Sequence, residues 1–310
     1  MNRITPIGAG RPQRRSSDQK GIHDIRRLPD AEFDGVWDSI ILPAGLKDRV
    51  LAQAVLNFTA RARLQQVHLP VHGIILFVGP AGTGKTSLAR GLASRTAASL
   101  NGGLTYIEVD PHALASAAHG KTQQAVSHLL GTVLAEQSST SPCIVLLDEV
   151  ETLAADRSKM SMEANPVDVH RATDAVLTQL DQLAADYPQL LFLATSNFAG
   201  AIDDAFLSRA DLVVTIDLPT PEACKAIVLD TIDRLAKAYP KLGPLRTAPQ
   251  IDKAATIAVG LDARRIRKAV LSALAHSKQI AANPELLTAD AVLDAMQRAQ
   301  KERANMEKNR

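Results

Sequence analysis

The chain is poor in several things at once. Its 310 residues include two cysteines, one tryptophan, three tyrosines and six phenylalanines. Cys143 and Cys224 form neither a CxxC pair nor a framework of bridges, which points to a reducing, intracellular compartment. An aromatic content of 3% leaves Ala, Leu, Ile and Val to fill any core. No apolar run reaches the roughly 20 residues that a membrane-spanning helix needs, and the amino terminus lacks a signal-peptide apolar region. The formal net charge is only +2, too small to argue for a nucleic acid or a membrane surface as partner. The expectation is a cytoplasmic protein with length for about two domains.

Residues 1–33 begin "MNRITPIGAGRPQRRSSDQKG". They are rich in Gly, Pro, Ser and Arg and show no helical or strand period, so a disordered basic arm is expected. From 34 to 218 short apolar runs alternate with helix-period stretches. The strand candidates are "IILFVG" (Ile74 to Gly79), "LTYIEV" (Leu104 to Val109), "CIVLL" (Cys143 to Leu147), "LLFLAT" (Leu190 to Thr195) and "LVVTIDL" (Leu212 to Leu218). Runs that are apolar on both faces imply a parallel α/β sheet with helices on either side. After "DLPTPEA" the pattern is helical only. Thr220 can cap a helix with Pro221 at its first position. Helices are expected at Glu222–Ala238, about Ile251–Val259, Ala263–Gln279 and Ala289 to about Met306. Residues 219–310 thus read as a smaller, all-helical domain joined by a Pro-containing hinge.

The strand "IILFV" runs into "GPAGTGKT" (Gly79, Pro80, Ala81, Gly82, Thr83, Gly84, Lys85, Thr86), and Ser87 follows as a helix opens. This is GxxxxGK[ST] between a strand and a helix, the context that gives the motif its meaning. The glycines let successive N–H groups curl inward around a phosphate chain, and the helix dipole adds positive potential at the same point. Lys85 is expected to reach the β- and γ-phosphates of ATP, and Thr86 to place its hydroxyl on Mg²⁺.

A second stretch, "IVLLDEVETL", sends four apolar residues straight into Asp148 and Glu149. Carboxylates at the edge of a core are costly unless something pairs with them. A strand lying beside the phosphate-loop strand would aim both acids into the same crevice. Asp148 would then hold Mg²⁺ through water, and Glu149 would polarise the attacking water. Asn197, at the tip of "LLFLAT", can bond the γ-phosphate or that water. Arg209, just before the last strand, suits an arginine finger supplied to a neighbouring subunit, against a plain salt bridge with Asp211. In "VGLDARRIRKAV", Arg264 could reach back over the hinge to the γ-phosphate. By position alone Arg265, Arg267 and Lys268 compete with it.

Phosphate loop, Asp-Glu strand, Asn sensor, finger arginine and helical lid together resemble the AAA+ ATPases over about residues 35–280. The stretches "VWDSIILPAGLKDRVL", "LLDEVETLAADRS", "NPVDVHRATDAVLTQLDQL", "TSNFAGAIDDAFLSRAD" and "GLDARRIRK" are similar to the pachytene-checkpoint family of HORMA-remodelling ATPases. The resemblance implies a homo-hexamer that draws a protein through its pore, Arg264 as lid sensor, and Trp37 to Leu42 running past the adenine. It also implies substrate-gripping loops, here containing Ala118, His119, Gly120, Met160 and Met162 without the family's aromatic residues. The short Ala-rich chain looks like the bacterial branch, whose members open a HORMA protein and so silence a cyclic-oligonucleotide nucleotidyltransferase in anti-phage defence. A DNA-associated loader and a protease-linked unfoldase are the rival classes; neither a basic pore nor a protease-docking motif is evident.

Overall fold

The computed structural model describes residues 21–64, 71–100, 103–109, 129–152, 166–198, 200 and 202–308. All five expected strands form: β2 (Ile74–Val78), β3 (Leu104–Val109), β4 (Cys143–Leu147), β5 (Leu190–Ser196) and β6 (Leu212–Thr215). They run parallel in the order β3-β4-β5-β2-β6. The Asp-Glu strand β4 is therefore not beside the phosphate-loop strand β2, as its sequence position suggested; β5 lies between them. A strand buried on both faces pairs as well with one neighbour as with another, so its sequence cannot state the order.

A sixth strand, β1 (Ile22–Leu28), pairs antiparallel with β3 at the sheet edge, Ile22 opposite Val109 and Leu28 opposite Leu104. This corrects the expectation of a disordered arm through residue 33, whose residues 1–20 fall outside the described set. "IHDIRRL" carries enough charge to read as a solvated tail. As an edge strand it buries only Ile22, Asp24 and Leu28, and Arg26 binds the carboxylates of Asp24, Asp30 and Glu32. The helix α1 (Ala31–Ser39) starts at once, with the Asp30 carboxylate accepting from the Phe33 N–H as its cap.

Alternate residues of the central strands feed two apolar layers. Leu76, Val145 and Phe192 face the helix α5 (Pro166–Asp186), with Val176, Leu180 and Leu183 opposite them. Ile75, Phe77, Ile144 and Leu193 face α1, α2 (Leu46–Ala60) and α3 (Lys85–Ser99). Burial of each such side chain contributes about 1.5–3 kcal/mol. Two polar clusters knit these layers together. Arg61, after α2, is 2% exposed and donates to the carbonyls of Val71, Ala184 and Leu190 and to Asn57 Oδ1. Burial pushes its pKa down to about 10. Arg90 of α3 makes a two-pronged contact with Glu108 of β3, which also accepts from the Tyr106 hydroxyl.

A separate helical core follows the sheet. It comprises α7 (Pro221–Ala238), α8 (Pro249–Ile257), α9 (Ala263–Ser272), the short α10 (Lys278–Ala282) and α11 (Ala289–Lys308), packed around Ile227, Ile251, Ile266 and Met296. Thr220 caps α7 through the Ala223 N–H, with Pro221 at the first position, as expected. The helix expected over Ala263–Gln279 stops earlier, at Ser272. The Ser277 hydroxyl takes the N–H of Ile280 and begins α10, which is how a Ser competes with helix continuation. A four-residue helix, α6 (Asp204–Leu207), and α4 (Ala135–Thr140) complete the numbered elements. No described helix is long and apolar enough to cross a membrane.

Candidate active site

The phosphate loop leaves β2 at Gly79 and enters α3 at Lys85. Gly82 and Gly84 adopt φ of +83° and +99°, a region that side chains rarely occupy, and this turns the backbone at the α3 amino terminus. Lys85 is only 5% exposed. Its ammonium donates to the carbonyls of Gly79 and Pro80 at 2.8 and 2.9 Å and to Asn197 Oδ1 at 2.9 Å. Burial lowers the Lys85 pKa, while Glu151, Asp148 and Glu149 push it back up. Burial is the larger influence, so the Lys85 pKa stands below its ordinary value.

The acids stand where β4 ends. Asp148 Oδ1 accepts from the Thr86 hydroxyl at 2.8 Å and from the Thr195 hydroxyl. Thr195 in turn accepts the Glu149 N–H at 3.1 Å. Glu149 has φ +53°, an uncommon conformation for a non-glycine residue, which marks a constrained turn immediately after the strand. Its Oε1 accepts from Asn197 Nδ2 at 3.1 Å. β5 lies between β4 and β2, so its tip presents Asn197 to both: the amide oxygen to Lys85, the amide nitrogen to Glu149. Lys85, Thr86, Asp148, Glu149 and Asn197 therefore converge. Thr195 and Glu151 join them without having been singled out in the sequence. Glu151 Oε1 accepts the Asn197 N–H at 3.1 Å.

The donor set suits a hard divalent cation. The Thr86 hydroxyl and an Asp148 oxygen already touch, and such an ion keeps several waters alongside one or two protein oxygens. The inward-turned loop at the α3 amino terminus suits a phosphate chain.

Arg209 is placed elsewhere. It does not pair with Asp211, whose carboxylate accepts the N–H groups of His72, Gly73 and Ile74. Its Nε and Nη2 instead donate to the two carboxylate oxygens of Asp181 on α5 at 2.7 and 2.8 Å, and Nη1 donates to the Ala205 carbonyl at 2.6 Å. That hydrogen-bonded pairing raises its pKa. About a quarter of the side chain stays exposed.

The lid arginines separate by environment. The Arg264 N–H donates to the Gly82 carbonyl at 3.2 Å, and the residue lines a cavity of about 320 Å³ with Gly82, Thr83, Gly84 and Ser87. Arg267 is held by Asp230 and by the Ser39 carbonyl. Arg265 pairs with Asp262. All four cations stand on α9, and Arg267 and Lys268 line the same cavity, but Arg264 is the one whose backbone N–H bonds the phosphate loop. Next to it opens a mainly apolar cavity of about 540 Å³, walled by Ile41, Leu42 and Pro43 on one side and by Ile216, Leu218 and Ala226 on others, with Thr83 at its edge. Ile41 and Leu42 were expected beside the base; Trp37 is instead buried in the sheet core. Ala118, His119, Gly120, Met160 and Met162 lie outside the described residues.

This arrangement defines a P-loop nucleotide-binding enzyme with a helical lid. The ATPase family associated with various cellular activities (AAA) matches residues 75–218. CD-NTase-associated protein 6 of Pseudomonas aeruginosa is 53% identical over 285 residues, 92% of this chain and 94% of that protein. A pachytene checkpoint protein 2 homolog of Oryza sativa subsp. indica is 33% identical over 89% of this chain, which spans 65% of that relative's length. Among solved structures, the E. coli MS115-1 HORMA:CdnC:Trip13 complex contains a chain of the same fold, with TM-score 0.72, 18% identity and coverage of 90% of this chain and 95% of that one. The chain belongs to the AAA ATPases, in the pachytene-checkpoint family alongside CD-NTase-associated protein 6. It is an ATP-hydrolysing enzyme.

Proposed function

We propose that the protein assembles as a homo-hexameric ring that hydrolyses ATP with Mg²⁺ to open a HORMA-domain protein, and thereby switches off an associated nucleotidyltransferase in anti-phage signalling. The observation that carries the hydrolytic half is the hub at Asn197, which touches both Lys85 and Glu149. The substrate half is supported by the relatives' names, CD-NTase-associated protein 6 and the HORMA:CdnC:Trip13 complex. A cytoplasmic setting belongs to the same proposal and rests on sequence alone.

The loop N–H groups and the α3 amino terminus bind the phosphate chain. Lys85 exchanges the carbonyls of Gly79 and Pro80 for phosphate oxygens as it does so. Thr86 and Asp148 would hold Mg²⁺, which when bound would supply positive charge to the phosphate chain. Glu149, oriented by Asn197, takes the proton of the attacking water. Arg209 acts on the neighbouring subunit's site. In the isolated chain its guanidinium is held by Asp181 and the Ala205 carbonyl, bonds that it would exchange in part for the neighbour's phosphate oxygens. Arg264 senses the γ-phosphate from the lid.

The test is to incubate Glu149→Gln protein with Mg-ATP and a HORMA-domain protein, then isolate the ring. A stable trapped complex is the expected result. Normal ATP turnover by wild type that leaves the HORMA protein unbound and unchanged would overturn the remodelling half alone.

A further inference from the structure

Glu151 stands two residues after Glu149, in the 3₁₀ segment Val150–Thr152. One of its carboxylate oxygens accepts the backbone N–H of Asn197. The other, Oε2, is buried and accepts no hydrogen bond. A carboxylate oxygen kept out of water without a donor works against folding, so a fold that retains one at an enzyme site calls for an explanation in function. The position supplies one. Asn197 is the first residue beyond β5, and beyond its own N–H nothing in the sheet ladder fixes its backbone, since β2 ends by pairing with Ser196. Its side chain nonetheless has to divide its two ends correctly between Lys85 and Glu149, because an amide turned over would present N–H₂ to the ammonium.

We propose that Glu151 is a positioning residue for ATP hydrolysis: by holding the Asn197 N–H it fixes the direction in which the Asn197 amide leaves β5, and so the placement of Glu149. This rests on the reading of Asn197 and Glu149 as the pair that orients the water. The contact is to the Asn197 backbone, so Glu151 acts whatever the side chain at 197, but only an amide there translates its position into turnover. Its charge is secondary, although Glu151 is first among the acids that oppose the effect of burial on Lys85.

The experiment compares Glu151→Ala, Glu151→Gln, Asn197→Ala and the double variant Glu151→Ala/Asn197→Ala in the full-length protein. It measures Mg-ATP turnover, binding of a fluorescent ATP analogue and thermal melting. Glu151→Ala should lower kcat on the order of 10-fold with analogue affinity within about twofold. Glu151→Gln keeps an acceptor for the N–H and should recover most of that loss. The double variant should be no slower than Asn197→Ala, because two residues that act through one group do not add. Additive losses would overturn the proposal, as would a Glu151→Gln variant as slow as Glu151→Ala, since charge and not the hydrogen bond would then be at work. If Glu151→Ala does not fold, Glu151→Asp withdraws the acceptor by one methylene and takes its place. Full turnover by Asn197→Ala would instead strike the reading of Asn197. A collapsed Asn197→Ala beside a fully active Glu151→Ala would strike this inference alone.

Discussion

The two ends of the nucleotide crevice are built in different ways. At the phosphate end Lys85, Thr86, Asp148, Glu149, Thr195 and Asn197 bond to one another, and every one belongs to the sheet portion. At the base end the wall is apolar and shared: Ile41 and Leu42 precede α2, Ile216 follows β6, and Ala223 and Ala226 belong to α7 of the lid. Rotation of the lid would therefore reshape the base end and shift Arg264 against the phosphate loop, while the bonds among those six residues stay intact. The acids and the lysine are housed in the sheet portion, and the apolar pocket lies where the two portions meet.

Substitutions at the phosphate end should alter turnover, and those at the base end affinity. The largest effects belong to Arg209→Ala and Glu149→Gln, expected to cut ATP turnover by about 10³-fold and at least about 10²-fold while each subunit still binds nucleotide. Mixing the two inactive variants sharpens the point. A subunit carrying Arg209→Ala has an intact site, and a Glu149→Gln neighbour has an intact finger, so mixed rings should regain turnover. No recovery in rings shown to be mixed would remove the trans role.

Next comes the support of the phosphate end. Arg61 joins the carbonyl of Leu190, at the opposite end of β5 from Asn197, to those of Val71 and Ala184. Arg61→Met should cost about 2–4 kcal/mol by leaving buried carbonyls without donors, read as a lower Tm. Turnover well below that temperature should stay near wild type. An unchanged Tm would show that the staple is dispensable.

At the base end, Ala226→Phe intrudes on the apolar cavity and should raise KM for ATP about tenfold, or 1.4 kcal/mol, with kcat little changed. A fall in kcat equal to the rise in KM would blur the division between the two ends. The smallest effect concerns pH. Burial would raise the pKa of Glu108, but Arg90 and Tyr106 outweigh it and hold the carboxyl below its ordinary 4.5. A depressed acid stabilises the folded state above its unfolded pKa, and that stability drains away as pH falls from about 4.5 toward the folded value. Glu108→Gln should flatten this acid limb in thermal melts, and an identical limb would refute the assignment.

Legibility followed burial and chemistry. The four inner strands β2 to β5 could be read because helices cover both faces, which forces unbroken apolar runs. The phosphate loop, Asp148, Glu149 and Asn197 could be read because nucleotide chemistry confines residue types to fixed spacings. Strand β1 could not, since an edge strand buries one face thinly and its charges pair with neighbours that only the fold supplies. Thr195 and Glu151 were missed for a related reason. A threonine in a strand and a second glutamate in "DEVET" have no pattern of their own until β5 is set next to β4. Asp181, the true partner of Arg209, lies 28 residues away on α5, a distance no local motif spans.

The antiparallel edge strand has a mechanical side. Ile22 faces Val109, so the first residue of β1 and the last of β3 leave the sheet at the same corner, on the nucleotide's side. Tension applied to the chain ahead of Gly21 would load those inter-strand bonds one after another, like a zip opened from its end, and not all together in shear. Opened in that way, the edge would part from β3 and bare its flank before any pair of parallel strands is separated.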